Sequence, residues 1–152
     1  MAVKPIPDGY HSVTPYLIVN GGPSALEFYK KVFGATEVSR FDGPDGKLAH
    51  AEIRIGDSMV MLSDEFGEMG FRGPHSIGGS PVGIMLYVED CDQMFNRAVA
   101  AGATVKKPLE DQFYGDRSGT LEDPFGHLWT IATHKEDVTP EELQRRMAAM
   151  AR

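Results

Sequence analysis

The chain is written twice. Gly34-Ala35-Thr36 recurs as Gly102-Ala103-Thr104, a shift of 104 − 36 = 68 residues, each time between a helical pattern and a strand pattern. The same shift carries Leu17 onto Met85, Val19 onto Tyr87, Leu26 onto Met94 and Ile55 onto Asp123. An internal period of this length marks a tandem supersecondary unit whose copies bury their apolar faces together. With 152 residues there is room for one domain of ordinary size, so both modules are expected to share a core.

Val13 to Val19 alternates like a strand and is broken by Asn20-Gly21-Gly22-Pro23. Ser24 to Phe33 then spaces Ala25, Leu26, Phe28, Tyr29, Val32 and Phe33 as one helical stripe, stopped by Gly34. Strands are expected at about Glu37–Phe41, Leu48–Ile55 and Met59–Leu62, with turns at residues 42–46 and at Gly56-Asp57. The second copy reads as a strand over Val82–Val88 and a helix over about Cys91–Ala101. Strands follow near Val105, around Gly115–Leu121 and over His127–Thr133. Module one therefore covers about 11–64 and module two about 82–134. The segment between them, about 65–81 and rich in glycine, reads as a connector, with a mobile lid as the alternative. Thr139-Pro140-Glu141-Glu142 combines an N-cap, a first-turn proline and a capping-box acid. It opens a C-terminal helix over about 139–150, whose Leu143, Met147 and Met150 would pack on the domain or on a second subunit.

Composition narrows the partners. Fifteen basic against 22 acidic residues give a formal net charge of −7, which opposes phosphate backbones and anionic membrane surfaces, and no basic patch interrupts it. Met1 to Asp8 holds no apolar run, so neither a signal peptide nor a membrane span is expected there, and a soluble cytoplasmic protein follows. The single cysteine, Cys91, excludes an intrachain disulfide and a cysteine-based metal cage.

Ala25-Leu26-Glu27-Phe28-Tyr29 ahead of Phe33-Gly34-Ala35, and Glu122-Asp123-Pro124-Phe125-Gly126-His127 ahead of the last strand, resemble the vicinal oxygen chelate superfamily. That superfamily includes glyoxalase I, extradiol dioxygenases and the bleomycin-resistance proteins. His50-Ala51-Glu52-Ile53-Arg54-Ile55-Gly56 with Met61-Leu62-Ser63-Asp64-Glu65 is similar to its PhnB-like branch. The resemblance implies an α+β fold of two tandem βαβββ modules, forming a curled, cup-shaped mixed sheet with helices outside. It also implies a homodimer and, in metal-dependent members, His, Gln or Glu ligands on the first and last strands of each module. Those positions fall here on Thr14, on Val60 or Met61, on Gly83 and on Thr130. None offers imidazole, carboxylate or thiolate, so no cofactor and no standard metal site are expected.

Strand alternation agrees with this registration. Val82, Ile84, Leu86 and Val88 form one apolar face, leaving Gly83, Met85 and Tyr87 toward the cup. Val13, Leu17 and Val19 lie behind the first strand, with Thr14, Tyr16 and Ile18 inward. Ala49, Ala51, Ile53 and Ile55 face the helices, and His50, Glu52 and Arg54 face the other way.

His50 and Glu52 are two apart on one strand face. They fit an acid/base pair, two ligands of a non-standard divalent metal site, or a polar stripe that only orients a ligand. Gln112-Phe113-Tyr114-Gly115-Asp116-Arg117 gathers an amide, a phenol, a carboxylate and a guanidinium. It reads either as a cup wall whose Arg117 holds an anionic or carbonyl group, or as a turn network. Trp129 is expected in the core beside an inward Thr130, His127 as structural or exposed, and Cys91 as a small helix-start residue. No Gly-x-Ser-x-Gly motif is present. The expected protein binds a small molecule, apolar or aromatic, in a pocket lined by Tyr16, Met85 and Tyr87. His50, Glu52, Gln112, Tyr114, Asp116, Arg117 and Thr130 supply its polar contacts. The rival expectation is a glyoxalase-like isomerase or lyase using His50 and Glu52.

Overall fold

The structure, a computed structural model, describes residues 2–151. Its elements are β1 (Tyr16–Val19), α1 (Gly22–Phe33), β2 (Thr36–Asp42), β3 (Leu48–Ile55), β4 (Ser58–Asp64), α2 (Pro74–Ile77), β5 (Gly83–Tyr87), α3 (Cys91–Ala100), β6 (Thr104–Asp111), β7 (Asp116–Glu122), β8 (Leu128–His134) and α4 (Pro140–Met150). They form two four-stranded sheets, ordered β1-β4-β3-β2 and β5-β8-β7-β6, so an α+β fold of two βαβββ modules is realised. Each sheet is mixed. Its first and last strands pair in parallel, and its other pairs are antiparallel. The chain forms two compact units, one running to Ser80 and including Phe125–His127, the other holding Pro81–Pro124 and the chain from Leu128.

In the first unit α1 buries the stripe that its spacing predicts, Ala25, Leu26, Phe28, Tyr29, Val32 and Phe33. It ends at Gly34, whose left-handed backbone (φ 66°) lets its N–H reach the Tyr29 carbonyl. No side chain from its own first turn caps its start. The carboxylate of Asp64, at the end of β4, does so from 42 residues away. Its Oδ1 accepts from the Gly21 and Gly22 amides at 2.8 and 2.9 Å, and its Oδ2 accepts from Leu48 N at 2.7 Å. A side chain at residue 22 would overlap the Leu48 Cβ and crowd Asp64 Oδ2, so only glycine fits.

Placements that differ from the strand reading include Val82, which lies outside β5 and is 67% exposed instead of on its apolar face, and two in the first unit. Val13 lies outside β1 and is 85% exposed, because the strand begins only after Pro15, which has no N–H to pair. On β3, Ala49 is exposed and Leu48 is fully buried in its stead. The register explains this: Phe41 pairs with His50 and Asp42 with Leu48, so Ala49 is the extra residue of a bulge, and the alternation flips across it. Beyond the bulge Ala51, Ile53 and Ile55 are buried toward the helix side, as alternation predicts.

The repeat is real, but its period is not uniform. Gly22 and Cys91, at the starts of α1 and α3, stand 91 − 22 = 69 apart, and their amides are held by Asp64 and Thr133, also 133 − 64 = 69 apart. Tyr29 and Ala98, whose carbonyls take the amides of Ala35 and Ala103, are again 98 − 29 = 69 apart. The helix end then loses one residue, so Ala35 and Ala103 are 103 − 35 = 68 apart. The expected matches of Leu17 to Met85 and of Val19 to Tyr87 are therefore corrected. Leu17 and Val19 are buried, whereas Met85 and Tyr87 are 46% and 57% exposed. Leu26 likewise corresponds to the buried Phe95 (95 − 26 = 69), not to Met94.

The second unit is built round Trp129, Leu121, Ile131 and Ala132, all buried, with Phe95 and Ala98 of α3 against them. Trp129 is in the core as expected, its indole N–H donating to Asp123 Oδ2 at 2.9 Å. β6 runs well beyond Val105 as an edge strand, which tolerates Pro108 inside the register shift between Lys107 and Glu110.

The segment after β4 has structure of its own. Phe66 and Phe71 bridge, and the Gly73 amide donates to Glu65 Oε1 at 2.7 Å. The Ser76 hydroxyl and that amide hold the Glu65 carboxyl below its usual value. α4 starts where its capping motif predicts, with the Glu142 amide donating to Thr139 Oγ1 at 3.2 Å. Arg146 ties it to Glu136 and to the Phe113 carbonyl, while Met147 and Met150 stay exposed. Among the described residues no helix is long and apolar enough to cross a membrane.

Candidate functional site

In the first unit β3 turns His50 and Glu52 to the face opposite the helix, and β1 turns Tyr16 to it. Tyr16 Oη lies 2.9 Å from His50 Nδ1, and His50 Nε2 lies 3.0 Å from Glu52 Oε2. With the ring proton on Nε2, one consistent pattern results: the phenol donates to Nδ1 and Nε2–H donates to the carboxylate. The rings of Tyr16 and Phe41 flank the imidazole at 5.6 and 6.5 Å. Glu52 Oε1 has no protein partner among the described residues.

Beside Glu52 opens a cavity of about 420 Å³. Thr14, Glu52 and Met61 line it on the sheet side, and Met61 pairs directly with Glu52 across β3 and β4. Pro5, Ile6, Pro7, Tyr10, His11 and Ser12 line it on the other. The hydroxyl of Tyr10 is buried and has no protein partner among the described residues, a condition that costs about 1–3 kcal/mol unless something else satisfies it. Nothing in the strand and helix patterns pointed to residues 5–12. The available signal was Pro5-Ile6-Pro7 followed by Tyr10, an extended stretch ahead of the first strand.

The polar cluster of the second unit centres on Asp116, which is buried. Tyr87 Oη donates to its Oδ2 at 2.7 Å, and His134 Nδ1 lies 2.7 Å from its Oδ1. The other ring nitrogen of His134 lies 2.7 Å from Asp137 Oδ1. Donating from both nitrogens requires the imidazolium, and accordingly Asp137 first and Asp116 second raise the His134 pKa. Asp116 also raises that of Tyr87, whose phenol it holds as a donor.

A histidine whose folded-state pKa is raised adds stability that is fully present below its ordinary value of 6.5 and fades as pH rises through the folded value. Stability should therefore decline across that window in the native protein and decline less in Asp137→Asn. Urea midpoints taken from pH 5.5 to 8.5 measure this, and identical profiles for the two proteins would refute it.

Arg117 is placed differently from its expected anchoring role. Its Nε and Nη2 donate to the two carboxylate oxygens of Asp92 on α3, at 2.7 and 3.0 Å, and Nη1 reaches Asp111 at 3.4 Å. It thus sits on the helix side of β7, one residue out of phase with Asp116, with its pKa raised above the usual arginine value by Asp92. Asp116 and Arg117 do not bond to each other, and the neighbouring residues make local contacts. Gln112 Nε2 lies 3.4 Å from the Ser118 carbonyl, and Tyr114 packs edge-on against Phe113. Gln112 and Asp116 border a second cleft of about 390 Å³ with Lys135 and Glu136. Cys91 is buried at the start of α3, and His127 meets the Ile18 carbonyl at 2.9 Å, both structural placements.

The positions that the resemblance assigns to metal ligands do not fit a metal. Met61, and not the core residue Val60, is on the sheet face with Thr14. Thr130 shares a 2.8 Å hydrogen bond with Thr120, and Gly83 has no side chain. Zinc, nickel and iron require imidazole, carboxylate or thiolate donors. Among the described residues no group of three or more His, Cys, Asp or Glu is arranged to hold an ion.

Paired βαβββ modules, each with a helix on one sheet face and polar and aromatic side chains on the other, define the class of α+β protein to which this fold belongs. The chain is a member of the Glyoxalase/Bleomycin resistance protein/Dioxygenase superfamily, whose profile matches residues 9–131. An uncharacterized protein of Mycobacterium bovis is 46% identical over 141 residues, 91% of this chain and 93% of the relative. TioX of Micromonospora sp. ML1 is 28% identical, with a TM-score of 0.64 over 82% of this chain and 98% of that one. The PhnB protein of Bacillus cereus, at 19% identity, shares the fold with a TM-score of 0.66 over 81% and 99% of the two chains.

Proposed function

We propose that this protein binds a small organic molecule against the exposed face of its first sheet, without the superfamily's standard metal site. The observation that carries the reading is the cavity beside Glu52. Its walls set Pro5, Ile6, Pro7, Tyr10 and Met61 beside the polar side chains of His11, Ser12, Thr14 and Glu52, a mixture of apolar surface and polar contacts that suits a small molecule. A second reading, an isomerase or lyase, is favoured by the Tyr16–His50–Glu52 chain of hydrogen bonds. It ends on a carboxylate oxygen free to take a proton from a bound molecule. The homodimer that the resemblance implies belongs to the same reading, supported by the exposed Met147 and Met150 of α4, and so does a reducing, cytoplasmic setting, which suits the lone cysteine.

Thermal unfolding in the presence of a panel of aromatic and apolar compounds tests the reading. A binder at about 100 times its Kd adds roughly 2.7 kcal/mol to stability. Selective hits should stabilise the native protein and not Met61→Trp or Thr14→Phe, which fill the cavity from two positions. A panel without a single hit would remove the binding reading. Conversion of a hit to product by the native protein but not by Glu52→Gln would establish the second. In the same preparation, made without chelator, zinc, nickel, iron and manganese should be substoichiometric. A full equivalent lost in both His50→Ala and Glu52→Ala would overturn the metal-free part, and sedimentation velocity reads the dimer.

A further inference from the structure

We infer that the ligand of this cavity is an organic cation: an aromatic or apolar body carrying one protonated nitrogen. The inference rests on the reading of the cavity as a ligand site and concerns which chemistry that site selects.

Charge within the lining is one-sided. Among the described residues Glu52 supplies its only carboxylate, no lysine or arginine lines it, and its one other ionisable side chain besides tyrosine is the imidazole of His11. The Glu52 side chain keeps 23% of its exposure beside proline, isoleucine and methionine, so a ligand seated there would displace water from the carboxylate, which then needs replacement donors. One is present, since His50 Nε2 serves Glu52 Oε2 at 3.0 Å, but Oε1 has none among the described residues. An ammonium or amidinium group at that oxygen would complete the shell with a charge-assisted hydrogen bond. The body of such a ligand would meet Ile6, Met61 and the ring of Tyr10, whose face attracts cations. Arg54 lies on the same strand face, but its guanidinium runs alongside Gly9, where an added Cβ would be 3.2 Å from Nη2, and it does not enter the lining. The chain's net charge of −7 favours approach of a cation and opposes that of an anion.

Matched probes test this. Naphthyl, biphenyl and indolyl methylammonium ions would be titrated calorimetrically against the corresponding methanols and carboxylates, into native protein and into Glu52→Gln. That variant keeps a carbonyl oxygen to accept from His50, removes the charge and puts an amide donor where the free oxygen stood. The ammonium probes should bind about tenfold or more tighter than the alcohols, the carboxylates weakest, and Glu52→Gln should erase the preference. Alcohols or carboxylates binding as well as the ammonium ions, or a preference surviving in Glu52→Gln, would overturn the cation while leaving the cavity a binding site. No binding by any of the nine probes, in a protein that also gives no hit in the broader panel, would remove both.

Discussion

Asp64→Ala should destabilise the protein by about 3–5 kcal/mol, because one carboxylate serves three otherwise unmet amides and each buried donor left unpaired costs about 1–3 kcal/mol. Asp64 is 6% exposed, so water cannot readily take its place. Glycine at residue 22, which makes room for the carboxylate, leaves no side chain to compensate. Asp64→Asn separates the causes. Its single carbonyl oxygen can keep the Gly21 and Gly22 bonds, while its amide presents a donor to the Leu48 donor, so it should cost less than alanine but remain clearly destabilising. Urea unfolding of the three proteins measures both, and a loss below about 1 kcal/mol for Asp64→Ala would refute the assignment. The consequence reaches the site, since Leu48 begins the strand that holds His50 and Glu52.

In the second unit Trp129→Ala should cost about 3–5 kcal/mol, the range for deleting a large buried aromatic and leaving a cavity. Trp129 is 1% exposed and pairs across the sheet with Ile84 on one side and Leu121 on the other. Trp129→Phe keeps most of the apolar contact and loses the hydrogen bond to Asp123, so it should fall between native and alanine. Unfolding is best followed by far-ultraviolet circular dichroism, since the chain has a single tryptophan and both variants lack its fluorescence. Equal stabilities for native protein and Trp129→Ala would show that this side chain does not organise the core of the unit.

Much of the fold was legible because it depends on local periodicity. The α1 stripe, the Gly34 stop, the α4 capping motif and the His50/Glu52 face each need only spacing along one element. The misplacements have equally local causes, each requiring knowledge of a partner strand. Ala49 left the core because a bulge opposite Phe41 and Asp42 inserts one residue, and Val13 fell outside β1 because pairing starts beyond Pro15. The 68-residue shift was read from the loop after each helix, where it holds. It fails across β1 and α1, where one residue more separates the copies.

The candidate site divides along the same line. Sequence alone determined that the chain is a duplicated βαβββ unit, and that His50 and Glu52 share a strand face, because both follow from the geometry of a single strand or helix. It also determined that the residues at the superfamily's ligand positions are poor metal donors, which is a matter of side-chain chemistry. Only the tertiary structure decided that Tyr16 bonds to His50, that residues 5–12 wall a cavity beside Glu52, and that Arg117 is held by Asp92. Each of these joins groups far apart in the chain, from 25 to more than 40 residues, and such a pairing is set by the register of strands and the path of loops. One strand's alternation says which face a side chain takes, and the rest of the fold says what meets it there.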